Sequence, residues 1–318
     1  MRRLRRTAAL RQLVAETALT PNDLIAPLFV REGIDAPEPI ASLPGVVQHT
    51  LASLCSEVAE LQARSIGAVI LFGVPEVKDP IGSGAFNPDG IVQVALAKLR
   101  DEFGDSIVLI ADLCIDEYTD HGHCGVLTPE GAVDNDTTLE IYARAACAQA
   151  VAGADIVAPS GMMDGQVAAI RSALDTESHP ETAILAYAAK YASSLYGPFR
   201  DAVNVELPHG QDRRAYQQDW RNAREALEEV RLDIEEGADM VMVKPAVTYL
   251  DVIHLVRQEV QVPLGAYHVS GEYAMIKAAG AAGWLDAEAV AIEQLTAVKR
   301  AGADFTLTYF AKEVAGQL

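Results

Sequence analysis

The stretch Ala223-Arg-Glu-Ala-Leu227-Glu-Glu-Val230-Arg-Leu-Asp-Ile234-Glu-Glu-Gly237-Ala-Asp-Met240-Val-Met-Val-Lys244-Pro245 decides the fold. Its first part sets Ala223, Leu227, Val230 and Ile234 at i, i+4, i+7 and i+11, one apolar face of a helix that Gly237 can close. The spacing predicts a helix over Trp220–Glu236. Met240–Val243 then forms a short apolar run without alternation, the pattern of a strand buried on both faces.

The same unit recurs along the chain. Apolar runs bounded by turn signals predict strands at Leu24–Val30, Ala68–Phe72, Ile107–Leu113, Asp155–Ala158, Ile184–Ala188, Met240–Val243, Pro263–His268 and Phe305–Tyr309. Helical patterns lie between them at Leu51–Ala63, Ile91–Glu102, Thr138–Val151, Gln166–Leu174, Trp220–Glu236, Leu250–Glu259, Glu272–Ala282 and Ala287–Arg300. Strands that alternate with helices imply a parallel sheet, and eight such units favour an α/β fold closed as a (β/α)8 TIM barrel. No Gly-x-Gly-x-x-Gly follows the first strand, which speaks against a dinucleotide-binding open sheet. The connections Gly73–Gly90, Ile115–Asp136 and Gly197–Gln218 are long and follow strands on the side where barrel enzymes build their sites.

Half of the 318 residues are hydrophobic, enough for one large core, and the net charge of −20 opposes nucleic acid or an anionic membrane as partner. No apolar stretch is long enough to span a bilayer. Arginines interrupt the start, so it is not a signal peptide. Four cysteines in a chain of this length make no disulfide framework, and a reduced cytoplasm is the expected location. Arg2, Arg3, Arg5, Arg6 and Arg11 cluster at the start, as a basic arm that docks on an acidic surface or as a solvated tail; charge leaves both open.

Two predicted strands run into a lysine: Ile184-Leu-Ala-Tyr-Ala-Ala-Lys190 and Met240-Val-Met-Val-Lys244. A lysine in an apolar run either snorkels at the strand end or, buried, loses its charge and becomes a nucleophile for a ketone. An ordinary lysine is only about 0.04% neutral at pH 7, and lowering its pKa by ~3 units makes roughly 30% neutral. Two lysines at matched positions favour the chemical reading. In Asp112-Leu-Cys114-Ile-Asp116, strand alternation places Asp112, Cys114 and Asp116 on one face, and the next loop adds His121, His123 and Cys124. Cys114, Asp116 and Cys124 suit zinc with an open fourth position, although buried thiols are often inert. Arg200 and Arg213, on the loop after Lys190, suit carboxylate clamps or surface salt bridges. Ser270 can cap the following helix, and Tyr309 ends the eighth strand.

Six segments together carry a resemblance over nearly the whole chain: Gly84–Gly90, Asp112–Gly125, Lys190–Ala202, Asp212–Gln217, Gly237–Ala246 and Tyr267–Glu272. They resemble the porphobilinogen synthase (5-aminolaevulinate dehydratase) family. The resemblance implies condensation of two 5-aminolaevulinate molecules to porphobilinogen, with loss of two waters, in haem biosynthesis. It further implies Schiff bases on Lys244 and Lys190, proton transfer by Asp112, and carboxylate recognition by Arg200, Arg213 and Gln217 for one substrate and by Ser270 and Tyr309 for the other. Zinc-dependent members carry three cysteines where this chain has Cys114, Asp116 and Cys124, an intermediate pattern for which zinc is the expected metal. Glu229 matches the ligand of an allosteric magnesium ion. The basic start resembles an arm that embraces a neighbouring subunit of an octamer, so residues 1–20 are expected to be an extended N-terminal arm and residues 21–318 the catalytic barrel. The competing readings are another Schiff-base barrel, such as an aldolase, and an inactive barrel scaffold.

Overall fold

Strand β1 (Leu24–Arg31) pairs in parallel with β2 (Ala68–Val74) and also with the last strand, β8 (Phe305–Thr308), and this double pairing closes the sheet. Between them run β3 (Val108–Leu113), β4 (Ile156–Pro159), β5 (Ala183–Lys190), β6 (Met240–Lys244) and β7 (Leu264–His268), each hydrogen-bonded in parallel to its sequence neighbours. These observations come from a computed structural model that describes residues 2–208 and 210–318. A small antiparallel pair, Glu38–Pro39 with Val47–His49, flanks β1 and was not foreseen. The architecture is a (β/α)8 TIM barrel, as the apolar strands implied. Among the described residues, no helix is long and apolar enough to cross a membrane.

Local chemistry sets the helix ends. The helix Leu51–Ala63 begins where expected because Thr50 accepts a hydrogen bond from the Ser53 amide at 3.1 Å. The helix expected from Trp220 starts instead at Arg224. Asp219 holds residues 219–222 in a turn by accepting from the Arg221 amide at 3.0 Å, which leaves Trp220 outside the helix. Gly237 follows the helix with φ +110°, a conformation that favours glycine.

Thr7 accepts from the Leu10 amide at 3.1 Å and opens a short helix, Ala8–Leu13, made of good helix formers. Leu4, Leu13 and Val14 are exposed on this segment.

Strand β5 contains an irregularity that matters for the site. Ala186 pairs with Val241 and Ala189 with Val243, so three steps on β5 face two on β6. This is a β-bulge, and the extra residue reverses the alternation. Ala188 and Ala189 consequently both join the apolar cluster that contains Val241 and Val243, while Leu185 and Tyr187 join the cluster with Met242 and Tyr267. Beyond the bulge, Lys190 comes into register with Lys244.

Candidate active site

Lys190 and Lys244 end adjacent parallel strands, directly opposite one another, and both are buried. Rings surround the Lys244 amine: its Nζ lies 4.4 Å from the ring centre of Tyr267, 5.0 Å from Tyr187, 5.1 Å from Tyr196 and 5.3 Å from Phe199. Ring faces favour a cation, but the cost of burial is larger. Burial first, and the charge of Lys190 second, pull the Lys244 pKa down to about 7. Lys190 itself donates to the Ser160 carbonyl.

Asp112 faces the two amines from β3. Burial pushes its carboxyl up to about 6, while Lys244 and Lys190 pull the other way. Ser160 donates to Asp112 Oδ2 at 3.2 Å, and Oδ1 meets no hydrogen-bond partner. One small cavity, about 10 Å³, is lined by Asp112, Ser160, Lys190, Lys244, Arg200 and Arg213. Admission of any ligand larger than about one water therefore requires the loops around it to move.

The expected metal donors converge by a different route from the one foreseen. Strand β3 ends at Leu113, so alternation does not govern Asp116. A turn takes over, with the Tyr118 and Thr119 amides both donating to the Ile115 carbonyl. Around this turn, donor atoms of Cys114, Asp116 and Cys124 all lie within 4.8 Å of one another, and the three residues are buried. Burial pushes the Cys114 thiol well above its ordinary value, whereas Cys124, although burial raises it too, is held below by Cys114 and Arg213. Two thiols and a carboxylate at this spacing fit a zinc ion with one position left open. His121 and His123 do not join them. His123 contacts the Tyr216 hydroxyl at 3.1 Å and Gln211 Oε1 at 2.7 Å.

Arg213 is not a surface charge. One of its terminal nitrogens lies 2.7 Å from Asp116 Oδ2 and donates to the Gly122 carbonyl at 2.6 Å. Burial alone would raise the Asp116 pKa, but Arg213, then Lys190, hold it well below the usual carboxylate range. The Nε atoms of both Arg213 and Arg200 are buried without a partner, and both residues line the cavity.

The remaining expected residues stand further off. Gln217 lines a separate cavity of about 1020 Å³ together with His123, Asp164 and Glu229. Glu229 is half-buried, and burial followed by Asp164 and Glu225 raises its pKa. A cation would relieve that repulsion, but no cluster of three close donors forms around Glu229 among the described residues. Ser270 does not cap its helix. It accepts from the Phe199 amide at 3.0 Å, while Glu272 accepts from the Val269 amide at 2.7 Å at the helix start. Tyr309 adjoins Tyr267, whose ring lies over the Lys244 amine, with the two hydroxyls 3.1 Å apart.

Sequence reading missed Ser160, Tyr187 and Glu117 as residues around the amines. Tyr187 is three residues before Lys190, the wrong phase for a regular strand, and Ser160 lies just past its predicted strand. Glu117 was hidden among the charges of a loop.

The family model described as "Delta-aminolevulinic acid dehydratase" matches residues 1–317. The delta-aminolevulinic acid dehydratase of Mycobacterium tuberculosis (strain ATCC 25618 / H37Rv) is 56% identical over 319 aligned positions, covering 100% of this chain and 96% of the relative. That of Archaeoglobus fulgidus is 50% identical over 318 positions, with coverage of 100% and 97%. A crystal structure of the Toxoplasma gondii ME49 enzyme in complex with its reaction product porphobilinogen superposes with a TM-score of 0.97 at 44% identity, covering 100% of this chain and 90% of that one.

Proposed function

This chain belongs to the delta-aminolevulinic acid dehydratase family, and we propose how its own residues carry that family's reaction, the condensation of two 5-aminolaevulinate molecules to porphobilinogen with loss of two waters. The observation that carries the proposal is the register pairing of Lys190 with Lys244 at the mouth of the barrel.

Lys244, pulled down to about 7, has a neutral fraction at physiological pH that can attack a ketone carbon and expel its oxygen as water. Lys190 is the second amine, placed to hold the other substrate. Asp112 faces both amines and is the group that shuttles protons between them and the substrates. The free Nε donors of Arg200 and Arg213 receive one substrate carboxylate; Gln217, Ser270 and Tyr309 enter the ligand shell as the loops rearrange. Both ketone oxygens leave as water, and each lysine is released as a free amine when its bond to the substrate gives way to the C–C and C–N bonds that join the two molecules.

Zinc would be held by Cys114, Asp116 and Cys124, where it would supply Lewis-acid polarisation of a bound oxygen. Magnesium would be held at Glu229 by one carboxylate and waters, the habit of a small, strongly hydrated ion. Residues 1–20 form an arm in this proposal, its exposed Leu4, Leu13 and arginines docking on an acidic neighbouring copy within an octamer. Cytoplasmic location belongs to the same reading.

The test is borohydride reduction in the presence of 5-aminolaevulinate, followed by peptide mass mapping. A reduced adduct on Lys244, together with porphobilinogen formation by untreated enzyme, is the expected result. Porphobilinogen formation without any lysine adduct would remove the Schiff-base roles.

A further inference from the structure

Gly197–Ala202 is a helix of 6 residues, too short to be stable alone, yet it carries two residues of the site. The centre of the Phe199 ring lies 5.3 Å from the Lys244 amine, and Arg200 lines the cavity at the two lysines. The last carbonyls of a helix find no donor within it, so their partners must come from elsewhere.

The two ends of this helix are held separately. Near its start, the Phe199 amide donates to Ser270 Oγ at 3.0 Å, and the Phe199 ring meets Phe72 edge-on at 5.1 Å. At its end, Gln48 Nε2 donates to the Ala202 carbonyl at 2.6 Å. Gln48 Oε1 accepts in turn from the Arg31 guanidinium at 2.8 Å. Both halves of the amide are used, one as donor and one as acceptor, which fixes its orientation. Gln48 is 5% exposed and belongs to the unforeseen antiparallel pair, in register with Phe29 of β1. Arg31 ends the same strand, so the last turn of the helix is tied through Gln48 to the barrel wall. Lys78 donates to the Val203 and Asn204 carbonyls, past the helix, which leaves Ala202 to Gln48. Gln48 does not titrate, so it keeps this grip at any pH at which the barrel is folded.

Resting on the reading that Arg200 receives a substrate carboxylate, we propose that Gln48 is a positioning residue for that contact. By tying Ala202 to Arg31 it fixes the turn from which Arg200 reaches the cavity, and so sets the affinity for a keto acid. Phe199, held at the other end, keeps the surroundings of Lys244 independent of Gln48. The pair Glu38–Pro39 with Val47–His49 thereby gains a task, as a support for carboxylate recognition that stands outside the eight strand–helix units.

The test compares wild type, Gln48→Leu, Gln48→Glu, Arg200→Lys and the double variant of Gln48→Leu with Arg200→Lys. Gln48→Glu keeps the volume and the Arg31 contact and loses only the donor, so it serves if Gln48→Leu fails to fold. A neutral hydrogen bond is worth roughly two- to tenfold. Each Gln48 variant should raise the 5-aminolaevulinate KM roughly fivefold, with kcat within about twofold of wild type. Borohydride trapping on Lys244 of 1-aminobutan-2-one, the same aminoketone without the carboxylate, should stay within about twofold. In the Arg200→Lys background, Gln48→Leu should change KM by less than about twofold, because the contact it positions is already lost. Three results would each overturn the proposal: unchanged KM in both Gln48 variants, a parallel fall in trapping of 1-aminobutan-2-one, or an undiminished Gln48 effect in the Arg200→Lys background. Wild-type KM in Arg200→Lys alone would instead strike the carboxylate reading itself, and the proposal with it.

Discussion

The Arg213 guanidinium holds Asp116 Oδ2 at 2.7 Å, with both side chains nearly wholly buried. Sequence reading gave these residues separate tasks, a metal ligand and a carboxylate clamp, and the fold joins them. Breaking a buried pair from one side leaves the other charge uncompensated, at a cost of roughly 3–5 kcal/mol. Asp116→Ala and Arg213→Ala should each destabilise by that order, and the double variant by less than the sum. Additive losses in urea unfolding would show that the pair is not coupled.

Arg213→Lys should raise the substrate KM on the order of tenfold, because a point charge cannot bond Asp116 and Gly122 and still offer a planar fork to a carboxylate. Arg200→Lys should do the same by a smaller factor, since Arg200 has no such buried ion pair to lose. Steady-state kinetics of the two variants decide the matter, with wild-type constants in both marking the arginines as bystanders.

Trapping on Lys244 should depend on pH with a defined sign. The neutral amine is the nucleophile, so the rate should rise as pH passes about 7 and then level off. Lys190→Met removes a cation that holds the Lys244 pKa down, so the midpoint should move to higher pH while turnover falls by orders of magnitude. Lys244→Met should give neither adduct nor product. An unmoved midpoint in Lys190→Met would contradict electrostatic coupling of the two amines.

Exhaustive chelation should remove activity that zinc restores, and Cys124→Ser should abolish the restoration. Metal binding requires deprotonated ligands, so zinc retention should weaken as pH falls. Elemental analysis after dialysis at several pH values provides the measurement. Full activity in metal-free protein would assign the thiols another role.

Glu229→Ala should lose any stimulation by magnesium while zinc content stays constant, because Glu229 lines a separate cavity from the lysines. Deleting residues 1–11 should shrink the assembly by removing the clustered arginines. Sedimentation of the wild type and both variants, with and without magnesium, tests this; one unchanging particle size throughout would end the idea.

The barrel was legible in the sequence because strands buried on both faces and amphipathic helices leave periodic signatures. Lys190, Lys244 and Cys114 were legible because a charge or thiol at the end of an apolar run stands out. Glu117 was not, since only the folded turn after Ile115 shows that this loop charge is buried. Trp220 was misplaced because a single Asx turn, worth little in a periodicity count, delayed the helix to Arg224. Ser270 was assigned a capping role that Glu272 fills by reaching back to the Val269 amide.

The bulge in β5 gives the paired amines a mechanical origin. A two-residue period is binary, and one supernumerary alanine acts as a parity bit: it decides whether position 190 points into the barrel or into the helix layer. Removing Ala188 would leave every residue type of the site in place and would still turn the Lys190 amine away from Lys244, so the spacing of the two nucleophiles is encoded by residue count as much as by residue identity.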